Sequence, residues 1–575
     1  MKLSLIILII LLSVISILSA QYDEKQIMTQ EAYQLLARRQ YNEAEQMFRI
    51  ILERWPGDQN SILQLMQIYL QTSQLNKAET LLTENQRSIN ANTFSEQQIL
   101  LLIHQGRPEE AYNKTLSYLA QVNYDQNRFR LIASYFEQRS FHDRSSELYS
   151  YARQHYNNPD LFTLELANAY LNSRRLEQSA REYLNWLRQS PNNLYFVNNQ
   201  IKTILTENPE LIRVIAESAL STSDTAILEL YAGSLVYLKD FTTAFETYKR
   251  LPIPRMQRFA EDQYAAVNDS VALMAFSHLR DQSQDIVQKS EYRLKLAQIN
   301  NRLGNTTAAM AILDSLFIDP TLSQNQYRNR ISANYSGRKL LAEMQLKQGI
   351  AIDSVLATLD SARRFARGSA ELGEANMLIT KLLMMNGDYD QAERLLAQVT
   401  DPQQLALRDY YKIVLSLFRG EIELADSLMN EYVIMQPGSP WVNDAIQLLM
   451  FANSFDASPR TAFLNAYKDF HLYKAATIDS LQSVFAITNE EELLILAAEW
   501  AMQMNLKSRA LSVLEHSFTD QICLEYAQVL KLRILDDAQS KELIARDFLS
   551  QNPNSVFSPG FRSIFSRISS PRPNF

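Results

Sequence analysis

The sequence predicts an all-α protein built from tandem helix-turn-helix units, and three observations predict it. Only 12 glycines and 16 prolines occur in 575 residues, too few for the turn chemistry of a β protein of this length. Leu, Ala, Gln, Glu and Arg, all good helix formers, are abundant. Small and bulky residues also recur at fixed offsets over a long period, the mark of an array that grows by repetition rather than by enlarging one core.

The first 20 residues, "MKLSLIILIILLSVISILSA", carry one Lys and an unbroken apolar run that ends in small residues. That is the pattern of a secretory signal peptide, with cleavage expected after Ala20; retention as a membrane anchor is the alternative. Either way the bulk of the chain is expected to be exported, to the periplasm or the outer envelope. No Cys stands near the segment to take a lipid, and the one Cys, Cys523, cannot form an intrachain disulfide. Removal of the segment, whose only charge is Lys2, leaves 55 basic against 64 acidic residues. That balance disfavours a nucleic-acid or anionic-membrane role, leaving an uncleaved signal as the only membrane link.

The repeat is clearest in "LANAYLNSRRLEQSAREYLNWLRQSP", residues 166–191. Ser179 is followed by Tyr183 and Pro191, and Ala167 lies twelve residues before it. The same frame gives Ala32, Ala44, Phe48 and Pro56, then Ala78 and Leu82, then Ala111, then Ala133, Ser145 and Tyr149. The anchors Ala44, Ala78, Ala111, Ser145 and Ser179 are 34, 33, 34 and 34 residues apart. Small residues let two antiparallel helices approach, bulky ones fill the wedge against the next pair, and proline stops the second helix. One pair cannot bury its apolar face alone, whereas a stack can.

This pattern resembles the tetratricopeptide repeat (TPR) family, whose 34-residue unit has small residues at places 8 and 20, bulky ones at 11, 17 and 24, and Pro at 32. Ala167, Ser179, Tyr170, Leu176, Tyr183 and Pro191 occupy those places here, while Thr163 replaces the family's Trp. The resemblance implies a right-handed α-α superhelix. Beyond Ser179 the spacing loosens. Ala244 and Tyr248 mark a unit 65 residues on, leaving room for a degenerate one around 205–222. Later copies centre on Ala297, Gly304, Ala309 and Leu313; on Ala342, Gly349 and Ser354, weakened by Thr358 at a bulky place; on Gly387, Ala392 and Leu396; on Gly420, Ala425 and Pro437; and on Ala498, Ala510 and Leu514. Helical periodicity alone supports units near 250–290 and 440–485. The organisation expected is a signal peptide over 1–20, an N-terminal array over 21–250, an irregular joint over 251–340, a C-terminal array over 341–555 and a flexible tail over 556–575.

Motifs for chemistry are sparse. The six histidines, His104, His142, His155, His278, His471 and His516, show no metal-site spacing, and no nucleophile elbow, dinucleotide fingerprint or P-loop occurs. No cofactor, metal or catalytic residue is expected, and the chain reads as a non-enzyme. Arg pairs such as Arg174 and Arg175 read as solvated helix faces. Triplets of Asp, Ser or Thr, and an apolar residue, as at 224, 269, 314, 353, 360, 426 and 479, resemble bacterial O-glycosylation sites. Asp and Ser also favour helix starts, which is the plainer reading.

The TPR resemblance implies that first helices line a binding groove through places 2, 5, 9, 12 and 13. By register these are Asn60, Gln67, Gln71, Asn127, Arg130, Ser134, Gln138, Asn168, Asn172 and Tyr237. The family's clamp for a terminal carboxylate fits in part only, since Asn168 matches but Leu164 stands where its Lys is needed. The expected function is a protein-protein interaction scaffold of the cell envelope, with peptide segments or envelope complexes as partners. The alternative is a helical-repeat subunit for polysaccharide export or glycan binding, with carbohydrate as partner.

Overall fold

A computed structural model describes residues 24–322, 324 and 330–569, the last six as backbone only. The expected signal segment, 1–20, and the final residues of the tail, 570–575, lie outside the described residues. Among the described residues there is no strand, and the packing divides the chain into two units, Met1–Met256 and Gln257–Phe575.

The first unit is a run of helical hairpins. Helix 24–37 pairs with Tyr41–Arg54, Gln59–Gln71 with Leu75–Glu84, Ala91–His104 with Pro108–Gln121, and Gln126–Gln138 with His142–Tyr156. Thr163–Asn172 then pairs with Leu176–Gln189, Leu194–Glu207 with Ile212–Leu220, and Thr225–Tyr237 with Phe241–Tyr248. The second unit continues in kind from Ile253–Ala265, within which the division falls, and Asp269–Gln282. Its further hairpins are Ile286–Arg302 with Thr306–Ile318, Ser332–Lys347 with Ile352–Arg364, Ser369–Asn386 with Tyr389–Ala397, and Leu405–Arg419 with Ile422–Met435. An unpaired helix, Val442–Ser454, precedes Ala457–His471 with Thr477–Thr488, Glu492–Gln503 with Lys507–Leu514, and Gln521–Ile534 with Ala538–Gln551. Each unit is thus an all-α solenoid of TPR-like hairpins.

One local device builds nearly every hairpin. The residue that ends the first helix turns left-handed, as at Ser73, Arg174, Lys239, Gly387 and Asn505. The next N–H returns to a carbonyl five residues back, for example Arg175 to Tyr170 at 2.9 Å and Asp388 to Leu383 at 2.9 Å. This is the Schellman closure, which satisfies the carbonyls a helix end leaves open. Five residues beyond the turn comes the small anchor, and Ala44, Ala78, Ala111, Ser145, Ser179, Ala244, Ala272, Ala309, Ala392, Ala425 and Ala510 are all fully buried. In one copy the crossing is so close that the Ser179 hydroxyl donates to the Ala167 carbonyl at 2.9 Å. First helices begin on polar caps where the sequence offers them; Asp58, Asn90, Asp125 and Asp224 each accept a backbone N–H of the first turn.

Four expectations change. In the copy at Gly349 an extra residue separates the turn from its second helix, which starts at Ile352. Ser354 is therefore exposed, and Val355 and Leu359 take the packing places, which explains the misfit of Thr358. The degenerate unit is a hairpin over 194–220 without a left-handed turn: Asn208, held extended before Pro209, leads into the 3-10 turn Pro209–Leu211. The stretch 251–340 carries two ordinary hairpins, with Val267 and Gly304 at the turns. The described part of the expected tail, 556–569, is not free, for it holds helix Ser558–Ser569, whose buried Phe561 stacks on Phe548 at 3.9 Å.

Candidate functional site

First helices of adjacent hairpins face one another along each unit, and the side chains predicted for a groove lie on them. Several are tied to the array itself. The Tyr33 hydroxyl donates to Asn60 at 3.1 Å, Arg130 donates to Glu165 at 2.8 Å, and Tyr237 and Thr206 share a hydroxyl bond at 2.7 Å. Each of these rungs joins one first helix to the next. The second unit repeats the device, with Lys295 on Glu261 at 3.1 Å and both Tyr335 and Lys339 on Glu374 at 2.7 and 2.8 Å.

Asn168 is occupied inside its own hairpin, accepting from the Tyr183 hydroxyl at 2.6 Å, and Ser134 donates to the Leu131 carbonyl at 2.7 Å. Burial pushes the Tyr183 phenol up to about 12. Gln67, Gln71, Asn127, Gln138 and Asn172 are exposed and make no side-chain hydrogen bond among the described residues. Gln67 and Gln71 border a shallow cavity of about 220 Å³ with Arg39 and Tyr41. The ten predicted residues therefore form no single cluster; half are engaged and half are open.

A different site lies in the second unit, where the repeat is broken. After the unpaired helix Val442–Ser454, helix Ala457–His471 reaches back across non-adjacent repeats to Ser369–Asn386. The Lys468 ammonium donates to the Tyr389 hydroxyl at 2.7 Å, 79 residues away, and stands 4.6 Å over the Phe418 ring. The hydroxyls of Tyr410 and Tyr467, 57 residues apart, bond at 2.7 Å. Beneath this crossing a cavity of about 380 Å³ is walled by aromatic rings, among them Trp441, Tyr467, Phe470 and Trp500. Trp500 stacks on Phe470 at 4.4 Å, and Trp441 on Tyr410 at 5.8 Å.

The cavity also gathers polar groups, and most of them have no partner. Lys381, half-buried, makes no hydrogen bond or ion pair among the described residues; neither do Asp444, Gln447 and Gln503 at the exposed side, nor the Tyr411 hydroxyl. Glu499 is engaged, accepting from Tyr526 at 2.9 Å, as are the hydroxyls of Tyr410 and Tyr467 with each other. Burial holds the Lys381 amine below the usual lysine range and the Asp444 carboxyl above its own. Burial, then the nearby Lys381 charge, drives the His471 imidazole well down, so it stays neutral. Burial raises Tyr410 to about 12 and pushes Tyr411 and Tyr467 up as well. A second cavity of about 310 Å³, lined by Leu346, Val355 and Leu378, meets the first at Lys381 and His471.

No residue of this cavity stood among the sequence-predicted groove positions, all of which lie between Asn60 and Tyr237, and the repeat frame that numbers such positions is lost between Pro437 and Ala498. The available signal was composition: Trp441, Phe451, Phe455, Phe463, Tyr467, Phe470, His471 and Tyr473 crowd 33 residues in which the small-residue anchors lapse. Among the described residues no group of His, Cys, Asp and Glu is placed to hold a metal ion, and no helix is long and apolar enough to cross a membrane. Four of the seven aspartates of the Asp-Ser/Thr triplets are tied to the fold as caps or in ion pairs. Asp224 caps a helix, Asp269 and Asp479 pair with Arg302 and Arg509, and Asp360 pairs with Arg363 and Arg364.

No protein-family model and no curated protein matches the chain. Two solved structures are similar to it in part. The APC/C hetero-tetramer Cut9-Hcn1 shares 13% identity over 95% of this chain and 96% of its own. Naa15/Naa10 bound to HypK-THB shares 12% over 95% and 99%. Both have a TM-score of 0.25, so neither bears on how this chain works.

Proposed function

We propose that the chain is a non-catalytic scaffold of the cell envelope, exported by its apolar first 20 residues, which holds partner proteins on the first-helix face of its TPR-like hairpins. The observation that carries this is the row of exposed, unbonded amides, Gln67, Gln71, Asn127, Gln138 and Asn172, on first helices of the first unit. Unbonded amides offer both a donor and an acceptor, which is what the backbone of a peptide segment requires. Neighbouring rungs fix the spacing of those helices, so the row is presented on a rigid support. Choice of partner then comes from side chains that repetition leaves free.

A photo-crosslinking residue at Gln138 or Asn172, in the native cell, is expected to capture a reproducible protein partner. The same probe at Gln178, exposed on the second helix of its hairpin, is expected to capture none. Equal capture at all three positions, or none at any, sinks the scaffold reading. Fractionation of the same cells tests export, and recovery of the chain in the cytosol counts against an envelope role.

A further inference from the structure

We propose that the cavity beneath the Ala457–His471 crossing binds a neutral saccharide of one or two rings. This site is separate from the amide row of the first unit, and nothing about it depends on the scaffold reading.

A volume of about 380 Å³, aromatic walls and several convergent polar groups are features of a small-ligand site. The polar groups are the telling part. Lys381, the Tyr411 hydroxyl and the amides of Gln447 and Gln503 supply donors; Asp444 and the amide oxygens supply acceptors. None of them makes an intramolecular hydrogen bond among the described residues; Asp444, Gln447 and Gln503 stand exposed at the mouth, Lys381 and Tyr411 lie deeper, so all five are open to a ligand that enters. A ligand dense in hydroxyls, each both donor and acceptor, satisfies a mixed set of this kind.

Charge argues against an ionic ligand. An anion drawn to Lys381 meets Asp444 and Glu499 around the same cavity, and a cation drawn to those carboxylates meets Lys381. A neutral ligand escapes both penalties. The aromatic walls supply flat apolar faces for the C–H face of a sugar ring, and Trp441, Tyr467 and Phe470 are only half-buried.

The test uses the whole chain and defined probes: chitobiose, cellobiose and maltose as neutral sugars, digalacturonate as an acidic one, and an acetylated Phe-Ala-Glu peptide. Binding is followed by calorimetry and by tryptophan fluorescence in a background carrying Trp55→Phe and Trp186→Phe, which leaves Trp441 and Trp500 as reporters. At least one neutral sugar is expected to saturate the signal. Asp444→Asn and Gln503→Ala, both at exposed positions, are each expected to weaken it about tenfold, one hydrogen bond's worth, with an unchanged Tm. Three results overturn the proposal: no neutral probe saturating in the millimolar range, the acidic sugar or the peptide binding in its place, or sugar binding that both variants leave intact.

Discussion

The first-helix face of the first unit and the cavity of the second are made of similar residues put to different uses. In the first unit half of the ten groove side chains are held within the array: Asn60 takes a bond from Tyr33, Glu165 from Arg130, Asn168 from Tyr183. Around the cavity Lys381, Asp444, Gln447 and Gln503 answer nothing. The difference follows from regularity. Where hairpins succeed one another at 33 or 34 residues, each side chain meets the same position one repeat on, and complementary pairs become rungs. Helix Val442–Ser454 stands outside the hairpin series, and the next helix, Ala457–His471, crosses back to Ser369–Asn386, so the side chains beneath it meet no counterpart one repeat on. In an array held together by repetition, an enclosed pocket gathers where repetition fails, while the regular face offers an open row.

The strongest way to break this contrast is to remove the crossing. Tyr467→Ala deletes a half-buried ring and the bond to Tyr410, and is expected to destabilise the second unit by about 2–4 kcal/mol, somewhat under the range for truncating a fully buried aromatic. Its counterpart in the first unit is Ala167→Leu, which forces a larger side chain into a fully buried helix crossing. Overpacking of that kind costs about 1–3 kcal/mol. Urea unfolding followed by hydrogen exchange reads the two units separately. If Tyr467→Ala proves the milder change, the crossing is peripheral to the second unit and its cavity is an accident of loose packing.

These two sites were unequally legible in the sequence. Ala167 and Ser179 declared themselves because a close helix crossing admits few residue types, so the same small side chains had to recur. The turns were harder to read. A left-handed residue favours glycine, and Gly304, Gly349, Gly387 and Gly420 were visible for that reason, but Arg174, Lys239, Val267 and Tyr473 take the same conformation without advertising it. That is why the hairpins at 253–282 and 457–488 lacked a sequence frame. Groove positions could be numbered by register, yet register does not say whether a neighbour already holds the side chain, as Tyr183 holds Asn168. The cavity was illegible as a site because it joins residues as distant as Lys381 and Gln503, and only the helix that crosses back brings them together.

A titration sharpens the comparison at a smaller energy. Because the folded chain keeps His471 neutral, the unfolded chain alone binds that proton once the pH falls below the ordinary histidine value of about 6.5. Stability of the second unit therefore falls with falling pH, from about 6.5 down to the depressed folded value, by at most about 1.4 kcal/mol per pH unit. His104 in the first unit is lowered in the same direction by its own burial and by Arg139, so the two units cannot serve as blanks for each other. His471→Phe isolates the contribution: its acid slope is expected to be shallower than that of the natural chain. Lys381, also lowered by burial, adds a separate loss of stability as the pH falls through the alkaline range below about 10.5, and the variant leaves that part in place. An unchanged acid slope means that His471 meets water in solution and that the cavity is more open than its walls suggest.

The finest distinction lies between two asparagines four residues apart on helix Thr163–Asn172. Asn168 accepts the hydroxyl of Tyr183, a phenol raised by burial, while Asn172 is exposed and unbonded. Asn168→Ala strands that hydroxyl and is expected to cost about 0.5–1.5 kcal/mol. Asn172→Ala is expected to stay within about 0.5 kcal/mol of the natural chain. Partner capture should run the other way. Loss of Asn172 removes an open donor and acceptor from the binding row, whereas loss of Asn168 acts only through the packing of its hairpin, and Tyr183→Phe together with Asn168→Ala should recover most of the stability without touching capture. If instead Asn168→Ala is the variant that abolishes capture while Tm hardly moves, then Tyr183 and Asn168 part when a partner binds, and the engaged residues of the first unit belong to its binding surface after all.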